Sequence, residues 1–146
     1  MDLGQPDVVL LDKIQRALAP LPEVQAALLF GSRATGRAKL DSDIDVGVLL
    51  DLTCSPNDPS ARARRLLGAL ARELAADRLD LVVLNEAPPA LAFQILKYGR
   101  VAFERERSFL HRLRVRVYSQ HSDREPTERF FRERLKLRAL AEAGRG

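Results

Sequence analysis

Apolar residues near the start of the chain recur at spacings of three and four: Val8, Leu11, Ile14 and Leu18. That stripe predicts an amphipathic helix, with Asp7 as its cap and Pro20 and Pro22 as its stop. The period then changes. Residues 26–30 form a short apolar run that ends at Gly31, the pattern of a buried strand. Residues 41–50 predict a second strand. Alternation sends Asp43, Asp45, Gly47 and Leu49 to one side and Ile44, Val46, Val48 and Leu50 to the other, which is a clean core face.

Residues 52–59 are rich in turn formers and predict a loop, after which Ser60 is a cap for a helix running to about residue 77. Leu66, Leu67, Leu70 and Leu74 lie on one side of it. Residues 79–84 predict a third strand. Pro88 and Pro89 open a short helix through Leu91, Ile95 and Leu96, which Gly99 closes just past its last turn. Residues 101–103 suit a short edge strand. Beyond Glu104 the spacing is helical, first through Phe109, Leu110, Leu113 and Val117, then, after a break at 121–126, from near Thr127 through Phe130, Phe131, Leu135, Leu137 and Leu140. The apolar residues of that last helix do not fit one face, so part of it is expected to lie against another chain.

This order of elements predicts an α/β (α+β) domain, a small sheet flanked by helices. The pattern does not fix strand direction. The expected division is a domain over 1–104 and a helical C-terminal segment over 105–146, packed on the same domain or on a partner. There is no internal repeat or low-complexity tract.

Composition sharpens this only in part. The length of 146 residues suits one compact domain, and an apolar share of 46% is enough for a core. The net charge of +4 is uneven: residues 1–103 hold 12 Lys/Arg against 13 Asp/Glu (−1), and residues 104–146 hold 12 against 7 (+5). A basic segment can meet an acidic partner or nucleic acid, although charge alone favours a solvated helix face. Cys54 is the single cysteine, which fits a reducing cytoplasm, and no motif surrounds it. With only His111 and His121, the chain has no Cys/His cluster for zinc. Neither a signal peptide nor a membrane-length apolar run is read in it. The expected location is the cytoplasm.

The chemistry is concentrated in residues 28–51, where two apolar strands flank a loop rich in Gly, Ser and Arg. Alternation puts Asp43 and Asp45 on one face, two residue rises apart. Like charges held that close repel, and a cation between them removes the penalty. Mg²⁺ is the natural candidate, because it takes oxygen ligands and shares them with phosphates. The loop supplies the other half of a phosphate site. Gly31 allows close approach of backbone, Ser32 offers a hydroxyl and an N–H, and Arg33 and Arg37 offer forked donors for phosphate oxygens. A third carboxylate would complete a two-metal site. Asp80 is the choice, because an acid at the head of an apolar strand is costly unless paired or metal-bound. Asp41, Asp51 and Glu86 compete less well, being loop acids.

Gly31-Ser32, a ten-residue gap, then Asp43-x-Asp45 resembles the signature of the DNA polymerase β-like nucleotidyltransferases. The chain looks most like their minimal members, the MNT proteins paired with HEPN toxins, including the MntA-type antitoxins. Residues 80–84, the Ala-Pro-Pro that follows and Tyr98-Gly99-Arg100 are also similar to that group. The resemblance implies a mixed sheet with flanking helices, ATP as substrate with two Mg²⁺ ions, and transfer of AMP to a tyrosine of a partner HEPN toxin. By motif position, Gly31 and Ser32 would bind the triphosphate; Arg33 occupies a familiar position and is counted among the nucleotide-binding residues, without an exact role carried over. Asp43 and Asp45 would hold both metals, and Asp80 the catalytic one. Two other readings stay open. One is an antitoxin that neutralises by binding alone; the other is a nucleotidyltransferase acting on RNA or a small molecule. With eight aromatics, no Trp and no glycine-aromatic interleaving in the tail, nucleic acid is the weaker partner.

Overall fold

The computed structural model describes residues 8–31, 43–54, 57–75 and 78–120. Its elements are α1 (Val8–Leu18), β1 (Val24–Phe30), β2 (Ile44–Leu50), α2 (Pro59–Leu74), β3 (Leu79–Val83), α3 (Pro89–Tyr98), β4 (Arg100–Glu104) and α4 (Arg107–Gln120). Helices and one small sheet are thus present as expected. The expected helix after residue 126 lies outside the described residues.

The four strands lie in the order β3-β2-β1-β4. β1 pairs antiparallel with both β2 and β4, and β2 pairs parallel with β3. The sheet is therefore mixed, which settles what alternation left open. The parallel pair needs a long crossover, and α2 supplies it. The two inner strands are buried along their whole length, whereas β3 and β4 are partly exposed edges.

Helices cover both faces. On one, Ile14 and Leu18 of α1 and Leu66, Leu70 and Leu74 of α2 pack on Ile44, Val46, Val48 and Leu29. On the other, Leu91, Ile95 and Leu96 of α3 and Leu110, Leu113 and Val117 of α4 pack on Leu28, Phe30, Leu49 and Leu84. The second layer changes the reading of β2. The side carrying Asp45, Gly47 and Leu49 is a second interior face, not a solvent face. α4 closes that interior, with Leu110 fully buried, so the segment after Glu104 begins as part of the core.

Local boundaries and caps differ from expectation in several places. β2 starts at Ile44, after Asp43. Asp58, not Ser60, caps α2: its Oδ1 accepts from the Ser60 N–H at 3.1 Å. Both are capping types two positions apart, and the carboxylate sits outside the first turn, where the free N–H groups point. α2 ends at Leu74, with Ala75 left-handed. Gly99 does close α3, but in an extended conformation. Glycine is needed there for space, because a Cβ would strike the Ile95 carbonyl and come within 3.2 Å of the Leu29 oxygen.

Candidate functional site

The register of the inner strands assembles the site. Asp45 of β2 lies opposite Phe30 of β1 on one side and opposite Asp80 of β3 on the other. Adjacent strands are about 5 Å apart, so two carboxyl-bearing residues stand next to each other at the same level of the sheet. Both sit on the face covered by α3 and α4, since Asp80 shares parity with Val82 and Leu84 of that layer, and Asp45 with Leu49. Asp43 directly precedes β2 and is half-buried. All three acids therefore gather where β2 and β3 begin and β1 ends.

Gly31 makes this arrangement possible. Its φ is +77°, a left-handed conformation that L side chains rarely adopt. A Cβ there would also overlap the Asp45 carboxylate, at Oδ2. The missing side chain is thus the space that the Asp45 carboxylate fills. Asp45 is 6% exposed, so its charge sits in a poorly hydrated place. A buried carboxylate beside a second carboxylate is expensive without a counter-charge.

The donor set is all carboxylate oxygen, which suits a hard divalent cation such as Mg²⁺. Among the described residues, no three His, Cys, Asp or Glu side chains are drawn together tightly enough to ligate one ion. The sheet fixes the backbone positions of Asp45 and Asp80 side by side. Ser32 and Arg33, expected to grip phosphate, lie outside the described residues, as does Arg37.

Of the competing acids, Asp41 lies outside the described residues, and Asp51 and Glu86 stand elsewhere. Asp51 accepts from Thr53 at its N–H (3.0 Å) and its Oγ1 (2.6 Å). Glu86 pairs with the buried Arg62 guanidinium at 2.9 Å. Both are at the opposite end of the sheet, beyond Leu50 and Val83. One residue given no site role from the sequence does reach the acid end. Arg100 pairs in register with Leu29, one residue before Phe30. Its only sequence signal is the Tyr98-Gly99-Arg100 turn from helix to edge strand.

The family model for polymerase beta, nucleotidyltransferase, matches residues 12–108. The chain belongs to this nucleotidyltransferase family. The matched span runs from α1 to the first turn of α4 and includes Asp43, Asp45 and Asp80. A curated relative, the protein adenylyltransferase MntA of Aphanizomenon flos-aquae (strain 2012/KM1/D3), is 29% identical over 114 residues, 74% of this chain and 75% of that protein. Solved structures share the nucleotidyltransferase fold. One is a toxin–antitoxin with AMP-PNP, with a TM-score of 0.59, 24% identity and coverage of 96% of this chain and 99% of that one. Another is a tri-AMPylated Shewanella oneidensis HEPN toxin in complex with MNT antitoxin, with a TM-score of 0.57, 24% identity and coverage of 94% and 98%. A mutant MntA toxin–antitoxin complex gives a TM-score of 0.62 at 23% identity, covering 93% and 98%. Among the described residues of this nucleotidyltransferase, no helix is long and apolar enough to cross a membrane.

Proposed function

We propose that this nucleotidyltransferase transfers AMP from ATP to a hydroxyl, a tyrosine, of a HEPN-domain toxin and so acts as its antitoxin in the cytoplasm. The observation that carries the reading is Asp45. It is buried, faces Asp80 in register, and occupies the space that Gly31 leaves open. Relatives described as a protein adenylyltransferase and as an MNT antitoxin bound to an AMPylated toxin support the choice of acceptor.

The acceptor oxygen attacks the α-phosphorus in line. The bond from that phosphorus to the bridging oxygen of the β-phosphate breaks, and pyrophosphate leaves. Asp43 and Asp45 would hold two Mg²⁺ ions, with Asp80 on the catalytic one. When bound, the ions supply charge for the attacking and leaving oxygens. The chain's own residues do the rest. Asp80 accepts the hydroxyl proton if it comes within hydrogen-bond reach. The Gly31 turn lets backbone approach the triphosphate closely, and Ser32 and Arg33 hold its β- and γ-phosphates. The interior face formed by α3 and α4 keeps water from the buried side of Asp45. Positioning and electrostatics carry most of the rate.

ATP labelled at the α-phosphate tests the reading. Label should appear on the toxin with the wild-type chain and disappear with Asp43→Asn or Asp45→Asn, while the circular dichroism of each variant stays native. Undiminished labelling by either variant sinks the metal assignment. If the double variant cannot label yet still neutralises the toxin fully, neutralisation is by binding alone. Label on RNA or a small molecule, with none on the toxin, sinks the acceptor.

A further inference from the structure

We propose that the outer surface shared by α3 and α4 is the docking face for an acidic surface of the acceptor protein. The proposal rests on the reading that the acceptor is a protein.

Charge comes first. α4 carries Arg107, His111, Arg112, Arg114 and Arg116, with no Asp or Glu between residues 107 and 120. A helix with one sign of charge needs its counter-charge from outside. Apolar exposure comes second. Within this basic helix Val115 is 55% exposed and Tyr118 43%, and Tyr98 at the end of α3 is 53% exposed. Helical spacing sets Val115 and Tyr118, three residues apart, on a flank turned away from the buried Leu110, Leu113 and Val117, and the half-buried Arg114 lies between that flank and the buried face.

The two helices present one surface. The Tyr118 ring lies 5.2 Å from the Phe93 ring of α3. The Lys97 ammonium lies 5.5 Å from the Phe93 ring and 5.2 Å from the Tyr98 ring. Tyr and Arg around an aliphatic centre is the make-up of a protein interface. Tyr98 and Tyr118 do offer ring planes, but the exposed aliphatic Val115 beside them offers nothing to a base and suits the apolar centre of a protein contact. The occupant is therefore a protein with an acidic face.

Position adds the third argument. This surface covers the same side of the sheet as Asp45 and Asp80, and α3 ends at the acid end, where Arg100 meets Leu29. A protein seated there brings a hydroxyl to the acids without crossing the sheet. The family match stops at residue 108, so most of α4 lies outside the shared catalytic unit and can be specific to one partner.

The test uses the full chain and the HEPN-domain toxin of the same organism as probe, reading AMP transfer at varied toxin concentration. Arg114→Glu combined with Val115→Glu should raise KM for the toxin about tenfold or more, the scale expected for losing interface anchors and reversing a charge. The kcat and the KM for ATP should stay unchanged. Tyr98→Ala, on the other helix, should raise the same KM severalfold and serves if the α4 variant does not fold. Val9→Glu, on exposed α1 across the sheet, should change nothing. If the wild-type chain neither binds nor labels the toxin, the acceptor reading itself has failed. If it labels the toxin and both variants shift KM less than twofold, the acceptor stands and this docking face is wrong. Short single-stranded RNA that displaces the toxin from the wild-type chain, with affinity lost in the α4 variant, would also overturn the protein occupant.

Discussion

The two ends of the sheet are built on opposite principles. Where β1 ends and β2 and β3 begin, Asp45 and Asp80 stand side by side and Gly31 holds a left-handed turn against the first of them. Where β1 begins and the other three strands end, the polar groups are stitched to one another. The Asn85 side chain accepts from the Leu50 N–H at 2.9 Å and donates to the Leu50 carbonyl at 2.8 Å. Arg105 donates to the carbonyls of Ala19, Leu21 and Val24 at 2.9, 3.1 and 3.1 Å. The buried Glu23 carboxylate accepts from Arg65 at 2.6 Å. One end sets acids side by side at the same level of the sheet, and the other ties its polar groups to backbone and to one another. The candidate site and this rigid frame are a strand length apart.

Gly31→Ala should break the contrast most sharply. The left-handed backbone costs a non-glycine residue about 1–2 kcal/mol. The new methyl must also displace the Asp45 carboxylate. A displacement of about 1 Å at a reacting centre costs on the order of 10²-fold in rate. AMP transfer should therefore fall by about that factor, more than the modest drop in Tm would explain. Transfer within twofold of wild type would mean that Asp45 need not stay where the turn allows it.

Asn85→Ala should do the converse. It strips the Leu50 N–H and carbonyl, on an inner strand, of their side-chain partner. A buried backbone group left without a partner costs about 1–3 kcal/mol. Thermal denaturation should show that loss, while kcat at a temperature where the variant is folded stays within about twofold, as expected for a site that a distant change does not reach. A selective loss of kcat would show that the far end tunes the acids.

Why one end was legible in the sequence and the other was not follows from how far each interaction reaches. Asp43, Asp45 and Asp80 stand out because acids at the heads of apolar strands contradict their surroundings, and that contradiction is local. Asn85 and Arg105 bond to backbone 35 and 81 residues away, and any residue type offers a carbonyl. No pattern around them could have signalled it. The same limit applies to the sheet. α1 was readable from its stripe, but the order β3-β2-β1-β4 and the parallel pairing of β2 with β3 are non-local facts. That the acid-bearing side of β2 is also interior was not legible, because its cover, α3 and α4, arrives some 40 to 70 residues later in the chain.

Arg105→Ala comes next in size. Its three carbonyl contacts are charge-assisted, but two are exposed, so their net worth is discounted to about 1–2 kcal/mol. The guanidinium also lies 5.0 Å from the Phe103 ring. Arg105→Lys should recover only part of the loss, because a single ammonium cannot span three carbonyls in the guanidinium geometry. Chemical denaturation of both variants decides it. Equal stability of Arg105→Lys and wild type would reduce the clamp to a charge effect.

The smallest effect sits at the same end and depends on pH. Asp51 is exposed, and the hydroxyl and then the backbone N–H of Thr53 hold its pKa below the ordinary 3.8. A folded-state pKa below the unfolded one gives stability that is present above the unfolded value and lost as pH falls through the folded value. Asp51→Asn keeps an acceptor for Thr53 but removes the charge. The Tm difference between wild type and this variant should favour wild type near neutral pH and close as the pH drops below the ordinary carboxylate range. A difference that stays constant across that range would mean that the Thr53 contacts act through geometry alone, and the stitching at this end would then owe nothing to the Asp51 charge.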